Sequence, residues 1–123
     1  MRLIFAGLIS LAMVSAAAAA DMKASFDWGP TKKCFDTKSP PFKLSAVPDG
    51  TAKLDIRMKD LNAPNYPHGG GKVAYNGQKS LEYGAFRYKG PCPPQRHKYR
   101  FTIKALDAKG KALATTTADR LFP

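Results

Sequence analysis

The chain has 123 residues, with 20 Lys and Arg against 9 Asp and Glu and a formal charge of +11. That length supplies one small domain with one core and excludes a hydrolase-sized α/β fold. The cations are dispersed, with no run of five like charges. They therefore describe a basic surface, not a tail, and favour polyanions such as lipopolysaccharide, anionic lipid headgroups or acidic polysaccharide.

In chain order, Arg2 provides a positive start, residues 3–14 an apolar run, and Ala18, Ala19 and Ala20 a small-residue cleavage site. This pattern predicts a signal peptide over 1–20 and a single domain over 21–123. The apolar run is too short for a membrane span, and no later segment is apolar enough to be one. The expected destination is periplasmic or secreted. Loss of Arg2 leaves a surplus of +10 on the exported part. Two cysteines, Cys34 and Cys92, in an oxidising compartment predict a disulfide. The loop it closes is long enough for a chain-entropy contribution of about 4 kcal/mol.

Residues 24–28 read as a first strand with Phe26 and Trp28 on one face, stopped by Gly29 and Pro30. Residues 42–47 give a short strand with Phe42, Leu44 and Ala46 on one side, and Pro48, Asp49 and Gly50 turn the chain. Residues 53–59 alternate cleanly, with Leu54, Ile56 and Met58 inward, and lead to Asp60. Residues 61–71, rich in Pro, Asn and Gly, form a long loop of the kind that often carries function. Residues 73–75, Asn76-Gly77 and the segment from Gln78 predict a hairpin, because Asn-Gly suits a type I′ turn. Residues 97–106 alternate again, with His97, Tyr99, Phe101, Ile103 and Ala105 on one face. After a turn at 107–110, the threonine triplet within 112–117 favours a last strand. About seven short strands, little helix and no internal repeat argue for an all-β antiparallel sandwich.

The segment from Gly90 to Tyr99 organises the rest. Pro91, Pro93 and Pro94 fix φ and cannot donate to a sheet ladder, so a rigid loop delivers His97 to the start of a strand. Asp60, His68 and His97 are the acid and the two histidines placed at strand ends or beside glycine and proline. A carboxylate can orient a histidine or stabilise its cation, and glycine-rich backbone can present convergent N–H donors to an anion. His97 could equally be a core histidine bonded to backbone.

His68-Gly69-Gly70-Gly71 looks like a lipase oxyanion sequence, but no Gly-x-Ser-x-Gly turn accompanies it. As metal ligands Asp60, His68 and His97 lack paired spacing, so no metal is expected, and no cofactor motif is present. Tyr83, Phe86, Arg87, Tyr88 and Lys89 mix aromatic and basic residues as a nucleic-acid stacking surface does. Aromatic residues in strands are more often core, and nucleic acid is not expected as the main partner.

Several pieces, in order, resemble the phosphatidylethanolamine-binding proteins (PEBP), in particular the bacterial Raf-kinase-inhibitor-like branch. Ser39-Pro40-Pro41-Phe42 is similar to that family's S-P-P-L, and Val47-Pro48-Asp49-Gly50-Thr51 to its V-P-x-G-T. Asp60-Leu61-Asn62-Ala63-Pro64 resembles D-P-D-A-P, and Tyr83-Gly84 resembles F-G. Gly90-Pro91-Cys92-Pro93-Pro94 and His97-Lys98-Tyr99 resemble G-P-C-P-P and H-R-Y. The resemblance covers residues 34–107.

It implies an all-β PEBP-like fold with a small pocket for phosphate or phosphorylated headgroups, formed by Asp60, His68, Gly90, Pro91, Pro93, His97 and Tyr99. Leu61 and Asn62 stand where the family has Pro and Asp, so one acid is lost. Gly69 follows His68 where the family has tryptophan, and the chain stops soon after its last strand, where many members add a gating helix. These departures predict an open or degraded site. The expected activity is binding of a small phosphorylated or anionic ligand by a monomer, without catalysis. The alternative is a protein-interaction or inhibitor module that has kept the fold and lost the pocket.

Overall fold

The computed structural model describes residues 20–123. The proposed signal peptide and its cleavage site lie almost wholly outside the described residues. Seven strands follow one another: β1 (Lys23–Phe26), β2 (Phe42–Ser45), β3 (Lys53–Asp60), β4 (Gly70–Ala74), β5 (Ser80–Leu81), β6 (His97–Leu106) and β7 (Ala112–Phe122). All pairings are antiparallel, in a three-stranded sheet of order β1-β2-β5 and a four-stranded sheet of order β4-β3-β6-β7. No helix occurs among the described residues, and none is long and apolar enough to cross a membrane. The fold is all-β, as the alternation of β3 and β6 predicts.

Period-two patterning puts one face of each sheet into a shared core. Leu54, Ile56 and Met58 of β3 and Tyr99, Phe101, Ile103 and Ala105 of β6 meet Phe26, Phe42 and Leu44 of the smaller sheet. Phe101 is the hub, with ring centroids 4.9 Å from Phe26, 5.0 Å from Phe42 and 5.7 Å from Tyr88. Phe86 and Tyr88 are buried in this core, so the aromatic-basic segment around them is a packing element.

Two expectations are corrected. Asn76-Gly77 does turn the chain, with Gly77 at φ +88°, but it closes no hairpin. β4 pairs with β3 and β5 pairs with β2, so this turn hands the chain from one sheet to the other. Gln78 fixes the turn by accepting from the Asn76 N–H and donating to the Ala74 carbonyl. The last strand also runs past Thr117 to Phe122, because β6 offers ladder partners as far as His97, which sits opposite Phe122. The Trp28 indole donates to the Leu121 carbonyl at 2.7 Å and ties that end to the segment just after β1.

Gly70 allows β4 to form. A Cβ there would be driven into the Ile56 backbone of the neighbouring strand. The proline-rich loop is pinned to the N-terminal segment by the Cys34–Cys92 disulfide, whose Cα atoms are 4.6 Å apart.

Candidate functional site

Asp60 ends β3 directly opposite Tyr99 of β6, so the two share the inward face. His97 lies two residues before Tyr99 and therefore points the same way. One carboxylate oxygen of Asp60 accepts the backbone N–H groups of Asn62 at 2.9 Å and Ala63 at 3.1 Å. The other faces His97 Nδ1 at 2.6 Å. A carboxylate only accepts, so Nδ1 carries the hydrogen and His97 Nε2 is left uncommitted by this bond.

Burial by itself would raise the Asp60 carboxyl. The His97 ring, then the Asn62 N–H and the Ala63 N–H, outweigh burial and hold it below the ordinary carboxylate value of 3.8. Burial pushes the Tyr99 phenol up, and the neighbouring Asp60 carboxylate adds to the rise, so Tyr99 stays a protonated O–H.

His68 arrives from the long loop after β3 and is buried. Its Nδ1 lies 2.6 Å from the Lys89 carbonyl, which can only accept, so this ring too carries hydrogen on Nδ1. The Lys89 N–H donates back to the His68 carbonyl at 2.8 Å and locks the loop to the segment before Gly90. The edge-on packing of His68 against Tyr99, with centroids 5.5 Å apart at 89°, brings both histidines around one phenol.

These groups open onto a cavity of about 170 Å³. Of the residues read from the sequence, Asp60, His68, Pro93, His97 and Tyr99 line it. Gly90 and Pro91 do not. They are buried, and the Gly90 N–H donates to the Asp36 carbonyl at 2.9 Å, where a Cβ would sit 2.6 Å from that oxygen. Gly90 lets its segment approach the Asp36 backbone closely.

The sequence reading missed the rim. Phe35, Ala63, Tyr66, Cys92 and Pro94 complete the lining. Phe35, held at φ +53°, stacks on Tyr66 with centroids 6.2 Å apart, and the Lys89 ammonium lies 4.7 and 4.8 Å from the two rings. A side chain in the left-handed region pays a steric cost, and here it presents an aromatic ring at the mouth. Proximity to Cys34 and to His68 was the signal available for these two residues. A larger groove, about 440 Å³, runs past Ser25, Lys43, Glu82 and Arg120 and shares no residue with the histidine pocket.

Chemically, the pocket holds an oriented carboxylate–imidazole pair, a second tethered imidazole and a phenol donor under an aromatic and cationic rim. A protonated imidazole donates from both nitrogens, so each ring tethered through Nδ1 can offer Nε2–H to an anion. No group of three or more metal-ligating side chains that could hold an ion occurs among the described residues.

No protein-family model matches the sequence, and no curated protein matches it either. Solved structures do. A phosphatidylethanolamine-binding protein homologue from Chlamydia trachomatis is similar with a TM-score of 0.64 at 18% identity, over 84% of this chain and 97% of that one. E. coli YbcL, described as a member of the mammalian PEBP family, is similar with a TM-score of 0.58 at 17% identity, over 83% and 96%. The chain has the PEBP fold. The ordered motifs from Ser39 to Tyr99 and the three-dimensional comparison therefore agree on the architecture, and the likeness spans nearly the whole of both solved chains.

Proposed function

We propose that this protein binds a small phosphorylated or otherwise anionic ligand in the Asp60–His68–His97 pocket and does not turn it over. The observation that carries the reading is the 2.6 Å Asp60–His97 contact, which fixes the orientation of a ring that borders the cavity and leaves its Nε2 uncommitted by that bond. His97 and His68 meet the anion through Nε2, Tyr99 donates its hydroxyl, and Lys89 adds positive charge at the rim. The disulfide supports a place outside the reducing cytosol, in the periplasm or the medium. A phosphorylated headgroup, with its polar end inward and its remainder against Phe35 and Tyr66, suits both the chemistry and the rim.

The test is calorimetric titration of residues 21–123 with phosphoethanolamine, alongside His97→Ala and Asp60→Asn. Saturable binding by the native chain, lost in both variants while their circular dichroism is unchanged, is the expected result. No binding by the native chain, or equal binding by His97→Ala, contradicts the proposal and favours an interaction module on this fold. Release of phosphate from a phosphate ester, abolished by His97→Ala, would contradict the absence of turnover.

A further inference from the structure

The outward face of the four-stranded sheet carries no covering layer among the described residues, and the ladder register places its charges. Lys72 of β4 and Lys104 of β6 flank Asp55 of β3, and Lys59 lies opposite Arg100. The two acids on this face are already engaged, Asp55 with Arg57 at 3.1 Å and Asp119 with Arg100 through two bonds of 2.9 Å. Lys59, Lys72, Lys98 and Lys104 have no ion-pair partner among the described residues.

These four lysines are distributed in two dimensions. They stand on three adjacent strands about 4.8 Å apart, and along a strand same-face positions recur about every 7 Å. A single extended polymer meets one row of such an array, whereas a planar partner meets all of it. Among the described residues no aromatic side chain on this face offers a base a stacking platform, which argues against single-stranded nucleic acid. Leu121, 46% exposed, stands opposite Lys98 and adds an apolar side chain among the cations. Lysines interspersed with an exposed leucine suit a surface of anionic headgroups over hydrocarbon better than a fully hydrated polysaccharide.

We propose that the outer face of β4-β3-β6-β7 docks the protein on an anionic bilayer surface. This face is separate from the histidine pocket, since its side chains leave the sheet on the opposite side from His97 and Tyr99. Docking therefore does not rest on the pocket reading.

The test is co-sedimentation of the native exported chain with phosphatidylcholine vesicles, with and without phosphatidylglycerol. Binding is expected only to the anionic vesicles and should weaken steeply between about 0.05 and 0.5 M salt. Replacing Lys59, Lys72, Lys98 and Lys104 by Glu should lower affinity by about a hundredfold or more. The same charge change at Lys23, Lys32, Lys43 and Lys79 should cost about tenfold less than that. The milder pair Lys59→Gln and Lys98→Gln, which introduces no new repulsion, gives an intermediate loss and guards against misfolding. His97→Ala should bind vesicles as the native chain does. Failure to bind phosphatidylglycerol vesicles overturns the proposal, as does equal loss in the two four-site variants. Tight binding to dextran sulfate without binding to vesicles assigns the face to a polymer and also overturns it.

Discussion

Asp36 and Asp60 are buried almost equally, with 5% and 4% of their surfaces exposed, yet they do different things. Asp36 accepts the Tyr83 hydroxyl and the Lys38 N–H, and its backbone carbonyl accepts from Gly90. It lines neither the histidine pocket nor the larger groove. Asp60 accepts two backbone N–H groups where the Asp36 carboxylate accepts one, and its side-chain partner is an imidazole whose second nitrogen is uncommitted by that bond and which borders a cavity. Both carboxyls are held below their ordinary value. Burial opposes the shift in each, and Tyr83 or His97 is the first group to overcome it. A buried acid with a lowered pKa is therefore no sufficient mark of a site. The mark is a titratable partner with an open edge.

The largest expected effect removes the link between the two regions. Cys34 sits two residues before Asp36, and Cys92 is in the wall of the Asp60 pocket. Cys34→Ser with Cys92→Ser should cost about 4 kcal/mol in denaturant unfolding. It should also weaken phosphoethanolamine binding, because Phe35 and Pro93 flank the lost bond.

Truncating either acid comes next. Asp36→Ala and Asp60→Ala each strand buried donors and should each cost about 1–3 kcal/mol of stability. In titrations of the two folded variants, only the change at Asp60 should abolish phosphoethanolamine binding.

The pH dependence follows from the direction of the two shifts. A carboxyl lowered on folding contributes stability that is present above its unfolded pKa of about 3.9 and is lost as pH falls through its folded value. Denaturant midpoints should therefore hold steady in weak acid and fall below about pH 4. Asp36→Asn should make that fall shallower by removing one of the contributing groups.

Tyr83→Phe should give the smallest effect. It removes the donor that helps lower Asp36, so that carboxyl moves up toward its unfolded value and the fall of stability in acid becomes shallower. Asp60 and ligand binding should be untouched.

Much of this was legible where local pattern and tertiary role coincide. The alternation of residues 97–106 gave β6 at its full extent, and that strand's phase put His97 and Tyr99 on the core side. The run into Asp60 was equally clear. Asn76-Gly77 misled because the same turn chemistry serves a hairpin or a crossover, and the choice of partner strand is not local. Residues 118–122 join a sheet because β6 templates them, which Asp119, Arg120 and Leu121 do not announce. Phe35 and Tyr66 lie in irregular backbone without periodicity, so their meeting at the pocket mouth could not be read from spacing. Gly90 was singled out by its motif, while its close approach to Asp36 is visible only in three dimensions.

The most direct measurement follows the ring signals of His68 and His97 by NMR while phosphate and then phosphoethanolamine are added to residues 21–123. The account predicts that both rings shift together along one saturable curve, and that Asp60→Asn removes the response. Unmoved rings at high millimolar ligand, or a shift in one ring without the other, would contradict a shared anion pocket.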